Sequence, residues 1–238
     1  MVREMTGRTL ADMGLDRERA LAVIDSVEDT VEFTDYYGVK TYIEMLRMEA
    51  DLRDIVSREA AGLEDTGNGL PAVVTVTSRI KSPASMRKKM EKRGLGTGAK
   101  TALSSTHDAV GLRVICPFIS DVYRIASAIE GNPRLEIVEK KDYIANPKPS
   151  GYRSVHLIVR LDGDRYAGIL AEIQVRTLAI DFWSSLEHQL NYKNGGVENS
   201  DAIRAELRRC ADDVAATDLS MQTLRDVIDS AEREAECA

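Results

Sequence analysis

The stretch ILAEIQVRT, residues 169–177, sets Ile169, Ala171, Ile173 and Val175 on one face of an extended strand and Leu170, Glu172, Gln174 and Arg176 on the other. A strand with one apolar face and a carboxylate, an amide and a guanidinium on the other belongs to a sheet. Working upstream, SVHLIVRL (154–161) is a second such run. The Asp-Gly pair in LDGDR (161–165) predicts that the two are joined as an antiparallel hairpin. AVGLRVICPF (109–118) and PAVVTVTSRIK (71–81) add two more β-rich runs bounded by turn formers.

Helices surround these strands. SPASMRKKMEKRG (82–94) has Ser82 as N-cap, Pro83 at the first helical position, Gly94 as a stop, and Met86 with Met90 as a buried stripe. VKTYIEMLRMEADLRDIV (39–56) is helical by period, GLEDTGNGLP (62–71) reads as a loop, and DFWSSLEHQLNYK (181–193) as a partly buried helix around Trp183, Phe182 and Leu186. From Ile203 through Leu207, Cys210, Val214, Thr217, Met221 and Leu224 to Ile228, a four-three spacing predicts a long terminal helix. Its stripe serves either the chain's own core or a seam between subunits. The fold class is α+β, with an N-terminal helical segment (1–70), a core (71–195) and a C-terminal helix (196–238).

Composition bounds the function. A chain of 238 residues with 43% hydrophobic and 30% charged side chains can bury a core, which excludes a disordered protein. No run reaches the ~18 apolar residues of a membrane helix, and the first residues lack a secretory signal, so a cytoplasmic protein without membrane association is expected. Cys116, Cys210 and Cys237 form no close pair and only three histidines are present, so reduced thiols and no zinc cluster are expected. The net charge of −7 is unevenly spread: residues 1–70 carry −8, residues 196–238 carry −6, and residues 71–195 carry +7. Between Arg79 and Lys100, eight basic residues face Glu91 alone, which marks a site for phosphate groups.

Arg79 and Lys81 leave one face of their strand. The following helix adds Lys88, Lys89, Lys92 and Arg93, and its N-terminal amides favour anions. Asp108 stands at the mouth of the next strand. A metal-dependent phosphohydrolase built on His107-Asp108 would need more His and Asp ligands than the chain offers. Magnesium, which takes one or two carboxylates plus phosphate oxygens, suits Asp108 better. Asp108 and Glu172, on strand elements beside a cationic helix, form the pair that metal-assisted phosphoryl or pyrophosphoryl transfer requires. In KPSGYRSVHLIV (148–159), Tyr152, Ser154 and His156 share one strand face, where an aromatic ring with polar partners can hold a nucleobase.

Taken in order, VTSRIKSPASMRKKM, HDAVGLRVICPFISDVYRI, KDYIANPKPSGYRSVHLIV and AEIQVRTLAIDFWSSLEHQLNYK resemble the synthetase domain of the RelA/SpoT family, and most nearly its short single-domain members, the small alarmone synthetases. The resemblance covers roughly residues 71–195. It implies a nucleotidyltransferase-like mixed sheet flanked by helices, and transfer of pyrophosphate from ATP to the ribose 3′-hydroxyl of GDP or GTP with Mg²⁺. By match to the family's motifs, Arg79 and Arg113 would stack about adenine, and Lys81, Lys89 and Lys92 or Arg93 would hold ATP phosphates. Asp108 would ligate magnesium, and Glu172 would contact the metal or act as general base. Tyr152 would stack on guanine, with His156, Gln174, Lys141 and Lys148 near the acceptor. The resemblance further implies a homo-oligomer, with a tetramer as the short members' form, and no alarmone hydrolysis. Two other readings stand beside it: the same chemistry on an adenine-nucleotide or tRNA acceptor, and a non-catalytic RNA-binding module. RNA is also open as a regulator.

Overall fold

The structure is a computed structural model that describes residues 27–63, 71–166, 168–193 and 200–236. Two compact units emerge. One takes the described residues up to Glu44 together with Lys81–Ser105; the other takes Met45–Ile80 and the chain from Thr106 onward. This division cuts across the three segments expected from sequence.

In the first unit, helix α1 (Val27–Tyr37) and the start of α2 (Val39–Ala61) accompany two short helices, α3 (Pro83–Lys92) and α4 (Ala99–Ser105). Phe33, Tyr37 and Tyr42 cluster by their rings. The Tyr37 hydroxyl donates to the Lys81 carbonyl at 2.7 Å, and the Arg87 guanidinium lies 4.6 Å from the Tyr36 ring centre. Helix α3 begins as its sequence requires: Ser82 is extended, its Oγ accepts from the Ser85 amide, Pro83 opens the first turn, and Met86 and Met90 are buried. Gly94 follows with φ +66°, the left-handed region that lets the chain leave the helix.

The second unit is built on a five-stranded sheet: β1 (Thr75–Ile80), β2 (Val110–Cys116), β3 (Leu135–Asp142), β4 (Val155–Leu161) and β5 (Ala171–Thr177), in spatial order β1-β2-β5-β4-β3. β2 and β5 run parallel and every other neighbour is antiparallel. One face is apolar across the middle of the three inner strands: Leu112 pairs with Ile173, which pairs with Leu157, and Val114 with Val175, which pairs with Val155. Helix α5 (Ile119–Gly131) packs against the sheet and buries Val122, Ile125, Ala126 and Ile129.

Three departures from the sequence reading have physical causes. β3 was not foreseen as a strand, because a bulge between Ile137 and Glu139 breaks its alternation and its exposed positions carry the charges of a sheet edge. β4 and β5 are antiparallel as expected, but a 3₁₀ turn (Gly163–Tyr166) joins them rather than a two-residue turn. Asp162 holds φ +47°, and its carboxylate is gripped by Arg134 at 2.6 Å. Tyr152 and Ser154 precede β4 rather than lying on it, and Ser154 Oγ donates to the Val175 carbonyl at 2.9 Å.

Helix α6 (Leu178–Lys193) buries Trp183, whose indole donates to the Leu207 carbonyl at 3.0 Å; Phe182, one helical step round, is 62% exposed, so the helix is buried only in part. Helix α7 (Ser200–Glu236) splits the predicted stripe. Ile203, Leu207, Cys210 and Val214 are partly covered, while Met221, Leu224 and Ile228 are exposed. Further along, polar side chains take the inward face: Gln222 accepts from the Ser120 amide at 2.9 Å, and Arg225 binds the buried Asp121 carboxylate at 2.5 Å. Cys116 and Cys210 are free thiols, and Cys237 lies outside the described residues, as do residues 1–26 of the expected N-terminal helical segment and most of the loop at 62–71. Among the described residues no helix is long and apolar enough to cross a membrane.

Candidate active site

Strand register gathers the site. Residues paired directly across a sheet point to the same face, and two adjacent rows cross the face opposite the apolar one. The first runs Arg79, Gly111, Glu172, Ile158; the second runs Thr77, Arg113, Gln174, His156, Lys141. Six of the residues singled out from sequence therefore share one face although they come from five strands. Gly111, between Arg79 and Glu172, adds no side chain to the floor, and a cavity of about 160 Å³ opens there. It is lined by Arg79, Asp108, Gly111, Arg113, Glu172 and Gln174 among others. Asp108, just before β2, and Glu172 line this one cavity.

Glu172 is held from two sides. His156 Nδ1 lies 3.0 Å from Oε1, and Gln174 donates to Oε2 at 2.7 Å. Burial pushes this carboxyl up, but the hydrogen bond and charge of His156 and the amide of Gln174 outweigh burial and the nearby Asp108. Its pKa falls below the ordinary glutamate value, so the group is an anion at neutral pH. Arg113 is drawn the other way: burial lowers its pKa, the charges of Arg176 and Arg79 add to that, and Asp181 opposes it. Asp181, the first acidic residue of α6, lies 3.6 Å from Arg113 and 2.5 Å from Arg176, and so offsets the repulsion among three neighbouring guanidinium groups.

Beside the carboxylates, Tyr152 and Tyr143 stand edge-on to His156, and the Tyr152 hydroxyl lies 2.9 Å from His156 Nε2. Both ring nitrogens of His156 are thereby engaged within the protein. The Lys148 ammonium rests 4.3 Å from the Tyr143 ring centre and 4.7 Å from that of Tyr152, and burial lowers its pKa. Lys141 is bridged to Glu139 at 2.9 Å.

The remaining candidates, Lys81, Lys89, Lys92 and Arg93, belong to the other unit. Lys89 and Lys92 occupy the last turn of α3, and Arg93 caps it while donating to the Ser105 carbonyl at 2.7 Å. The lysines therefore lie at the opposite end of a ten-residue helix from the amides expected to act with them, one of which Ser82 already occupies. Sequence reasoning did not assign Tyr143 or Asp181. Tyr143 sits inside a motif already noted, but its contact with His156 arises only when β3 and β4 pair. Asp181 carried a recognisable signal, an acid in the first turn of a helix following a strand whose penultimate residue is an arginine.

The family model described as "Region found in RelA / SpoT proteins" matches residues 78–197. The chain is 39% identical over 156 residues to the GTP pyrophosphokinase YwaC of Bacillus subtilis, covering 64% of this chain and 73% of that one. Among solved structures, a GTP pyrophosphokinase family protein from Streptococcus pneumoniae matches 84% of this chain and 94% of its own at a TM-score of 0.65 and 34% identity. The small alarmone synthetase 1 of Bacillus subtilis bound to its product pppGpp matches 80% and 95% at 0.66 and 28%. With a mixed sheet of the same architecture and a motif-bearing face built by its register, the chain belongs to the RelA/SpoT family, among the small alarmone synthetases.

Proposed function

We propose that this chain is a (p)ppGpp synthetase, moving the pyrophosphoryl group of ATP to the ribose 3′-hydroxyl of GDP or GTP and releasing AMP. The observation that carries this reading is the single cavity in which Asp108 and an ionised Glu172 meet, flanked by Arg79 and Arg113. Such a reaction asks the protein chiefly to hold two polyanions together and aim a hydroxyl at phosphorus, so positioning and charge neutralisation dominate.

The donor set suits Mg²⁺. Among the described residues no cluster of three or more potential ligands exists, and a hard cation content with two carboxylates completes its shell with phosphate oxygens and water. Asp108 and Glu172 would hold it, and when bound it would neutralise charge developing on the phosphates. Glu172, with its lowered pKa, supplies an anion that either contacts the metal or accepts the proton of the attacking hydroxyl. The planar groups of Arg79 and Arg113 take adenine, and Lys81, Lys89, Lys92 and Arg93 bind ATP phosphates. Tyr152 stacks on the acceptor base, with Lys148, Gln174 and Lys141 around it.

Met221, Leu224, Val227 and Ile228 leave an apolar stripe on α7 exposed, and we assign it to a homo-oligomer, with a tetramer as the form to test. An Ile228→Glu chain should sediment as a smaller species than the wild type. The reaction belongs in the cytoplasm, with its nucleotide substrates.

The decisive experiment mixes purified protein with labelled ATP and, separately, GDP, GTP, ATP or tRNA, with and without magnesium. The expected result is AMP together with a guanosine bearing a 3′-diphosphate, formed only with the metal. Transfer to tRNA or to ATP alone would replace the acceptor assignment. RNA binding with no transfer to any acceptor would favour a binding module.

A further inference from the structure

One carboxylate oxygen of Asp181 serves two arginines. Oδ1 lies 2.5 Å from an Arg176 nitrogen and 3.6 Å from an Arg113 nitrogen. The two guanidinium groups differ in freedom. Arg176 is 3% exposed near the end of β5, whereas the Arg113 side chain is 39% exposed and lines the cavity. Among the described residues each has a buried Nε with no hydrogen-bond partner, and Asp181 is the one carboxylate in ion-pair contact with either. At 3.6 Å the Arg113 contact is longer than a hydrogen bond. It draws the charge without fixing the plane, which leaves the guanidinium able to tilt onto a base. Burial and the Arg176 charge act against the charged form of Arg113, and Asp181 is the strongest group acting for it. Lying in the first turn of α6, the carboxylate is itself favoured by the helix dipole.

We infer that Asp181 is a positioning residue of the donor subsite: anchored on Arg176, it holds Arg113 where the adenine ring of ATP stacks. This rests on the assignment of adenine to Arg79 and Arg113. Asp181 touches neither nucleotide and acts through Arg113. Without its charge, Arg113 would face Arg176 and Arg79 with no carboxylate between them and would turn toward solvent. ATP binding would then carry the cost of drawing the guanidinium back and ordering it.

The test measures binding of a non-hydrolysable ATP analogue, α,β-methylene ATP with magnesium, to the full chain, with turnover alongside. Asp181→Asn keeps an oxygen that accepts from Arg176 and removes the charge, so the analogue should bind about 5–30-fold more weakly. KM for ATP should rise by a similar factor, while kcat at saturating ATP moves by less than about threefold. Arg113→Ala should weaken binding by itself, with Arg79 left to hold the base, and adding Asp181→Asn to it should change the affinity by less than about twofold. A purely structural role for Asp181 would weaken both backgrounds alike. Arg176→Met combined with Asp181→Asn removes the buried cation together with its partner, so this pair folds even where the single variant leaves that cation unbalanced. Its affinity for the analogue should also fall, and only when Arg113 is present. An Asp181→Asn chain that binds as the wild type does, or the same loss in the Arg113→Ala background, would overturn the inference. A wild type that binds no analogue would instead overturn the assignment of ATP to this cavity, and the inference with it.

Discussion

Replacing Gly151 by alanine tests how the segment carrying Tyr152 is seated. Gly151 has φ +88°, and a β-carbon built there would stand 2.6 Å from the β-carbon of Ala211 on α7, with the Arg208 carbonyl at 3.5 Å. Two costs can be separated. Holding an alanine in the left-handed region costs roughly 1–2 kcal/mol. Opening a carbon–carbon contact by about 1 Å toward the ~3.5–4.0 Å optimum displaces a backbone that is also tied down by Arg153, which donates to the Gly151 carbonyl and binds Asp212 at 2.9 Å. Overpacking of that kind costs about 1–3 kcal/mol, so Gly151→Ala should lose about 2–5 kcal/mol in all. Ala211→Gly alone removes the obstructing carbon and costs ~1 kcal/mol for glycine in a helix. In the double variant the clash disappears and the backbone strain stays. Urea unfolding of the four proteins at one fixed protomer concentration should therefore give a favourable coupling energy of about 1–3 kcal/mol. Costs that add to within ~0.5 kcal/mol would refute the contact as the cause.

Three further outcomes follow from other parts of the molecule. Glu172→Gln keeps an acceptor for His156 but removes the anion; it should fold normally and lose at least ~100-fold of transfer activity by nucleotide analysis, and full activity would remove Glu172 from the chemistry. Burial raises the Asp218 carboxyl above its ordinary value despite the 2.6 Å hydrogen bond from Thr177. The folded state thus holds that proton more tightly than the unfolded one, and the stability this confers is present at acid pH and lost as pH rises through the raised value. Asp218→Asn should melt at a higher temperature than wild type at pH 7, with the gain shrinking toward pH 4; a gain that is constant across this range would contradict the assignment. Burial pushes the Cys116 thiol far up, with Asp121 adding to it, whereas Cys210 is partly exposed. Thiol reagents should modify Cys210 in the native protein and Cys116 only after unfolding, as peptide mapping would reveal.

The parts legible in the sequence were those whose signal is local. Alternation in 169–177 put Glu172 and Gln174 on one face, and the Ser82–Pro83 start and Gly94 end of α3 were readable as caps. The rows joining Arg79 to Glu172 and Arg113 to His156 were not readable, because register between strands as distant in sequence as β2 and β5 is set by packing rather than by neighbouring residues. The same limit hid the roles of His156 and Tyr143, whose partners come from other strands and turns. In α7 the heptad spacing was real, but helical period alone does not say which stripe faces inward. Asp121 and the Ser120 amide, at the start of α5, draw Arg225 and Gln222 toward the core and leave Leu224 and Ile228 outside.

The sheet order carries a consequence for synthesis on the ribosome. β5, last of the five strands to be translated, takes the middle place between β2 and β4. Until residue 177 has emerged, a nascent chain holds two half-sheets, each with an unsealed edge of backbone donors and acceptors that another newly made copy could join. The strand that bears Glu172 also closes that gap, so the step that completes the candidate active site is the step that seals these two inner edges.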